Sequence, residues 1–548
     1  MRGSVQDGRG ADRPGGVRSW LHLHMALGRF NPFACRCHPV TTPQPASLVE
    51  RIARSIPDPV LLFIGFYLLA LAATALLGGT TFASQGPAGP VEQSVRSMLS
   101  GENLRWIFDN ALLANWLGFG NGVLGVILVV TLAIGVAEHA GLLGALIKKA
   151  GRRVPMRWMP LLLVFLGIMS SLATDAGYLV LIPLAGLLYA ALGHNPLIGM
   201  AAAFAGVSAG FSANLVPATP PDVIVGLNAK IFAEAQGVPF ATAEGVPLNA
   251  ATMNYFFMVA STVLLTVVGA WVTTRFVAPR LAAQPWTRPA DLDFGEFELG
   301  EAERRGLRAA AWTTPVALLV IYGFAVGPLA SFTGPDGREV HPFLNNVILL
   351  ISFYFIAVGM AFGFASGRFT RLADVVDAMT RQANTTGYIL VLTFFSYNFL
   401  GLLSYSGLGA YITHLGAQGL LGLGLADNPM LLLIGFVLTT AFINLFVGGL
   451  TSKWLLLGPI FVPMLYHVNP QLTPDLVAAA YRVADSSTNI VTPMMAYAGI
   501  VLAFMRRYRP DLTIGDQILM MVPYSLCFLL TWTLLLLAFF LLGIPLGF

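Results

Sequence analysis

The sequence predicts an all-α polytopic membrane protein: nine transmembrane helices plus two re-entrant hairpins, built as an inverted-topology repeat with broken helices. Three observations predict it: an apolar composition, apolar runs of bilayer length, and two matching stretches of opposed orientation. Of 548 residues, 56% are hydrophobic and only 11% charged, where a soluble domain carries about 25% charged residues. A mean hydropathy of +0.73 over the whole chain cannot be hidden in one water-soluble core. The 57 glycines and 34 prolines fall mostly inside apolar segments, which suits membrane helices that bend and break. The net charge of +4 gathers in a few Arg-rich loops, so it reports topology and implies no nucleic-acid partner.

Residues 1–50 differ in composition. They are rich in Gly, Arg, Pro and His and lack the apolar core of a secretory signal. They are expected to be a disordered cytoplasmic tail, with Met25 as an alternative start. Residues 51–548 form the membrane domain. Cys35, Cys37 and Cys527 are expected to be unpaired, because one C-x-C without companion ligands is a weak metal signal.

A helix needs about 20 apolar residues to cross a bilayer. Full-length candidates lie near 58–79, 118–138, 197–228, 254–275, 311–330, 344–366, 387–406, 476–505 and 518–546. Two further apolar stretches, 157–190 and 430–466, are interrupted by polar residues: Ser170, Ser171, Thr174 and Asp175 in one, Asn444, Gly448, Gly449, Thr451, Ser452 and Lys453 in the other. Each could be two spans or one re-entrant hairpin, and the polar tips favour hairpins. Basic loops at 148–157, 275–308, 368–381 and 506–509 are cytoplasmic by the positive-inside rule. Counting crossings then places the N-terminus in the cytoplasm and the C-terminus outside, in the periplasm of a bacterial inner membrane.

The two halves resemble each other. DAGYLVLIP (175–183) and TSKWLLLGP (451–459) keep an aromatic residue and a proline at the same offsets. Asn214, in SANLVP, follows Asp175 by 39 residues, and Asn489, in STNIVTP, follows Thr451 by 38. The first copy, about 118–275, starts outside and the second, about 344–546, inside, which is the architecture of many secondary transporters. A Ser/Thr-Asn-x-x-Pro break frees backbone groups that can face a cavity near the midplane.

Charged residues at membrane depth are expensive and mark function. Arg482 and Asp485, at i and i+3, are expected to pair on one helix face, or to part, with Asp485 holding a cation or proton and Arg482 meeting an anionic substrate. Asp222 follows Pro220 and Pro221, where the first broken helix resumes. Lys453 is expected to snorkel or pair. Glu138 and His139 suit an interfacial role. Asn444 is a plausible cation ligand through its carbonyl oxygen. No phosphate loop, H-E-x-x-H or G-x-S-x-G motif in its required context occurs. Ser486 and Ser487 beside Asp485 lack a histidine, which argues against an intramembrane enzyme. Without ATPase machinery, energy must come from a gradient.

The segments SANLVPATPPD (212–222), GGLTSKWLLLGPIFVPML (448–465) and YRVADSSTNIVTPMMAY (481–497) resemble the p-aminobenzoyl-glutamate transporter (AbgT) family, with likeness from about residue 50 to the C-terminus. The resemblance implies nine spans, two hairpins and a homodimer. It implies ion-gradient-driven transport of p-aminobenzoyl-glutamate and export of sulfonamide-type folate antimetabolites. It carries functional roles onto Asp222, Asn444, Trp454, Pro474, Arg482, Asp485 and Pro493. The family often has serine where this chain has Thr451, and the hydroxyl survives. Pro220–Pro221 departs from the family pattern. On this basis Trp454 would stack on the substrate's aryl ring, Asn444 and Asp485 would bind the coupling ion, Na+ or H+, and Asp222 would carry a proton. A Na+-coupled di- or tricarboxylate symporter is the alternative, and a passive channel a third.

Overall fold

A computed structural model of the chain describes residues 58–86, 89–118, 123–151, 155–172, 177–288, 299–333, 339–385, 387–447, 449–492, 495 and 497–548. The expected tail at 1–50, the hairpin-tip residues Thr174 and Asp175, and Pro493 lie outside the described residues.

Among the described residues, six helices are long and apolar enough to cross a membrane. They are α1 (Pro59–Leu77), the run Tyr255–Ala282, the helices Glu301–Val326, Val347–Ser366 and Gly387–Ser406, and the last helix, Ile514–Leu542. Each answers to one predicted span. In chain order the helices after α1 are α2 (Gly101–Asn110), α3 (Val123–His139), α4 (Leu142–Gly151), α5 (Met159–Met169), α6 (Ile182–Ala191), α7 (Pro196–Phe204), α8 (Pro220–Glu234) and α9 (Tyr255–Val272). They continue with α10 (Glu301–Val326), α11 (Val347–Ser366), α12 (Leu372–Thr385), α13 (Gly387–Ser406), α14 (Leu408–Gly422), α15 (Pro429–Asn444), α16 (Leu450–Val468), α17 (Pro474–Asn489), α18 (Ala498–Arg506) and α19 (Ile514–Leu542).

The expected span at 118–138 contains α3, at 17 residues, or about 26 Å of helix. The expected spans at 197–228 and 476–505 are each broken. The stretch at 430–466 is interrupted between α15 and α16, and that at 157–190 between α5 and α6. Helix α10 begins ten residues before its apolar window because Glu301 and Glu303 stabilise its first turn. The all-α expectation needs one correction. Thr81–Gly86 (β1) and Gly89–Ser94 (β2) form an antiparallel ribbon, and Phe332–Thr333 pairs with Glu339–Val340. Both ribbons are too short and polar for a search keyed to apolar runs to register.

Two cores form. One gathers residues of α5–α9 and α13–α19; the other packs α3, α4, α10, α11 and α12. Helix α8 serves both: Val223 and Ile224 enter the second core, while Val225, Ala229 and Phe232 enter the first. Helices α1 and α10 leave most of their apolar surface uncovered, at 17% and 6% buried, as lipid-facing helices do.

Candidate functional site

The site grows from two interrupted helices. Helix α7 widens into a π-turn over Ala205–Ala209 and ends at Gly210. The chain stays irregular to Thr219, then α8 begins. Pro220 and Pro221 are well placed here, because first-turn N–H groups have no intrahelical partner to lose. Asp222 is the third residue of α8 and reaches back: its Oδ2 accepts from Thr219 N (2.9 Å) and Thr219 Oγ1 (2.6 Å). Ala218, just before, is the one non-glycine with positive φ (56°) among the described residues. Such strain persists only where surroundings over-determine it, and Ala218 is buried.

Helix α17 is almost wholly enclosed. All of it except Asn489 is buried, packed by α8, α15, α16, α19 and the Ala205–Ala209 turn. That enclosure is what allows Arg482 and Asp485 at this depth.

The two charges do not pair with each other, contrary to the i, i+3 expectation. Arg482 Nη2 lies 2.5 Å from Asp222 Oδ1 and donates to Ser212 O at 2.7 Å. Asp485 Oδ1 lies 2.5 Å from Lys453 Nζ. Residues three apart on a helix are neighbours, but partners from α8 and α16 arrive from different sides and claim one each. Lys453, expected to snorkel or pair, is fully buried and also donates to Asn444 Oδ1. Asn444 Nδ2 in turn donates to Asp485 O (2.6 Å), Thr488 Oγ1 (2.7 Å) and Asn489 Oδ1 (3.2 Å). The carbonyl oxygen that sequence offered to a cation thus holds an ammonium, and the carboxylate beside it holds the same ammonium. The donor set fits a cation, and the chain supplies one of its own.

The structure brings Asn214 to Asp222, its Nδ2 lying 3.3 Å from Thr219 Oγ1 and 3.5 Å from Asp222 Oδ2. Ser486 Oγ donates to Ser212 Oγ at 2.7 Å, tying α17 to the first break. Sequence did not single out Ser212 as a partner or Thr219 as a cap, although T-P-P-D is a legible helix-start signal. Thr451 stands in the first turn of α16, two residues before Lys453. Pro474 opens α17, eight residues before Arg482 and so about 12 Å away along the axis. Trp454 is fully enclosed: its Nε1 donates to Val225 O (3.0 Å), with Tyr481 at 4.6 Å and Phe232 at 5.7 Å between ring centres. In this conformation no face of its indole is open to an aryl ring. His139 Nδ1 lies 2.9 Å from Gly135 O at the end of α3.

A family model described as the AbgT putative transporter family matches residues 46–548. The p-aminobenzoyl-glutamate transport protein of Escherichia coli (strain K12) is 31% identical over 511 residues, covering 91% of this chain and 95% of that protein. Two solved structures share the fold at a TM-score of 0.80. The Alcanivorax borkumensis YdaH transporter, described as having an unusual topology, is 36% identical over 90% of this chain and 100% of that one. Neisseria gonorrhoeae MtrF, described with a class of antimetabolite efflux pumps, is 33% identical over 91% and 98%.

Proposed function

This chain belongs to the AbgT putative transporter family, and on that premise we propose that it moves p-aminobenzoyl-glutamate or a related aromatic anion across the bacterial inner membrane, driven by an ion gradient. The observation that carries the proposal is the pair of buried salt bridges at the two helix breaks. Each buried charge there is held by an oppositely charged side chain. In this scheme Arg482 exchanges Asp222 for a substrate carboxylate. Asp485, Asn444 and Lys453 form the ion-coupling centre. A Na+ there would have to displace the Lys453 ammonium, whereas a proton would not. Trp454 meets the aryl ring only after Tyr481 and Phe232 withdraw.

The nine-span, two-hairpin topology and the inverted repeat belong to the proposal. They are supported by matched packing: α16 of the second half lies on α8 of the first, and α6 of the first on α18 of the second. A homodimer and a cytoplasmic N-terminus complete it. The name of MtrF's class supports a second activity, export of sulfonamide-type antimetabolites. The decisive experiment is transport by proteoliposomes under imposed H+ or Na+ gradients, with labelled p-aminobenzoyl-glutamate, a sulfonamide and succinate as solutes. Gradient-dependent movement of the first supports the proposal. Movement of succinate alone moves the chain to the dicarboxylate class, and gradient-independent flux makes it a channel.

A further inference from the structure

A cavity of about 820 Å³ lies apart from the two salt bridges, between the β1–β2 ribbon, α2, α13, α14 and the outer faces of α8 and α16. Pockets for small organic ligands span roughly 300–1,000 Å³. Three side chains give it character. Trp106 and Tyr405 stack at 4.0 Å and 8°, and the Arg96 guanidinium lies 5.2 Å from the centre of the Tyr405 ring. Arg96 makes no ion pair among the described residues, so its charge is available to an anion.

Its position is fixed by the backbone around it. Val95 N donates to Thr80 O (3.0 Å), Arg96 N to Ser406 O (2.8 Å) and Met98 N to Thr74 Oγ1 (3.3 Å). These bonds stitch the strand exit onto the point where α13 turns into α14. Gly407 sits at that turn with φ 73°, and a Cβ there would come 3.0 Å from Ser94 O. Tyr405 is anchored by its hydroxyl to Asn103 Oδ1 at 3.2 Å. A cation carried on a fixed backbone beside an anchored aromatic stack offers a charge and a ring face to a planar ring bearing a carboxylate.

The opposite wall leads to the buried site. Phe232 lines the cavity and turns its edge to Trp454. Gln236 Nε2 donates to Pro459 O at 3.0 Å. That carbonyl is freed because residue 463 is proline and has no N–H to offer. A Cβ on Gly458 would come 2.3 Å from the Phe232 ring, so the wall is one side chain thick.

We propose that this cavity is a second binding site for an aromatic carboxylate, held by Arg96, Trp106 and Tyr405 and separated from Trp454 by the ring of Phe232. The proposal rests on the transport function above and deepens it: the substrate is captured twice, first in this chamber and then at Arg482.

Equilibrium binding of labelled p-aminobenzoyl-glutamate to the full chain in lipid nanodiscs tests it. The wild type should bind two molecules per chain, and Arg96→Gln or Trp106→Ala one. A second readout does not depend on those variants folding. Ser404 is exposed and lines the cavity. In a chain with its natural cysteines replaced by serine, the thiol introduced by Ser404→Cys should react with a maleimide several-fold more slowly when the ligand is present. One site per chain, retained in full by both variants and with no protection of the thiol, overturns this proposal and leaves the transport function standing. No binding by the wild type overturns both.

Discussion

Asp222 and Asp485 are both enclosed carboxylates with a basic nitrogen at 2.5 Å, but their surroundings differ. Asp222 is saturated. Thr219 supplies two donors to one oxygen and Arg482 engages the other. Its pair joins residues 260 apart, across the two halves. Asp485 has Lys453 alone among the described residues, and Oδ2 meets no donor. Its pair lies within the second half. A buried acceptor without a donor is costly, so the Asp485 oxygens are where a proton or cation gains most by arriving. The comparison separates a lock between halves from a centre built for exchange.

Breaking the exchange centre should have the largest effect. Asp485→Asn should abolish gradient-coupled transport, and it leaves the Lys453 ammonium buried without its partner, at a cost of about 3–5 kcal/mol. Adding Lys453→Met should restore most of that stability and none of the transport. Proteoliposome uptake and thermal unfolding of the three variants check this. Normal transport by Asp485→Asn at normal expression would falsify the coupling role.

The pairing itself is tested by two double-mutant cycles. Arg482→Ala with Asp222→Asn should show a coupling of about 2–3 kcal/mol, and Arg482→Ala with Asp485→Asn less than about 1 kcal/mol. Equal couplings would mean that the lock and the exchange centre act as one network. Thr219→Val removes only one donor from the lock and should cost about 1 kcal/mol, the usual range for a lost cap. Uptake should be slowed by far less than in Asp485→Asn, and a complete loss would place Thr219 in the transport step.

Six of the expected spans were legible because bilayer length and composition are local properties. The breaks were legible because proline, asparagine and serine announce them. Thr-Pro-Pro-Asp even contained its own cap. What failed was partner choice. Arg482 and Asp485 are one turn apart and of opposite charge, so the sequence gives every reason to pair them. The groups that claim them stand 260 residues away on α8 and 32 residues away on α16. No spacing rule reaches that far. Lys453 was expected to snorkel or pair, and it pairs; what the sequence could not name is the carboxylate that faces it. Arg96 lies just after β2, Trp106 on α2 and Tyr405 on α13, and their meeting has no sequence signature.

Asp374, partly buried at the surface where α12 starts, isolates the cap from the enclosure. It repeats the reach-back of Asp222: its Oδ2 accepts from Thr370 N (2.6 Å), Thr370 Oγ1 (2.9 Å) and Arg371 N (2.9 Å). The Thr370 N–H first, then the Arg371 N–H and the Thr370 hydroxyl, hold its carboxyl down at about 2. The folded value lies below the ordinary carboxylate value, so the stabilisation is fully present above about pH 4 and is lost as pH falls through about 2. Asp374→Asn should therefore lower Tm at pH 5, with the difference from wild type closing as the pH approaches 2. Transport at neutral pH should stay at the wild-type rate. A difference that widens in acid would overturn the assignment. The matched pair Thr370→Val and Thr219→Val then asks what burial adds. Both remove the same hydroxyl from the same reach-back, one in water and one beside Arg482. If they cost the same, Asp222 depends on its cap alone. A larger cost at Thr219 measures how much a lock between two halves gains from being dry.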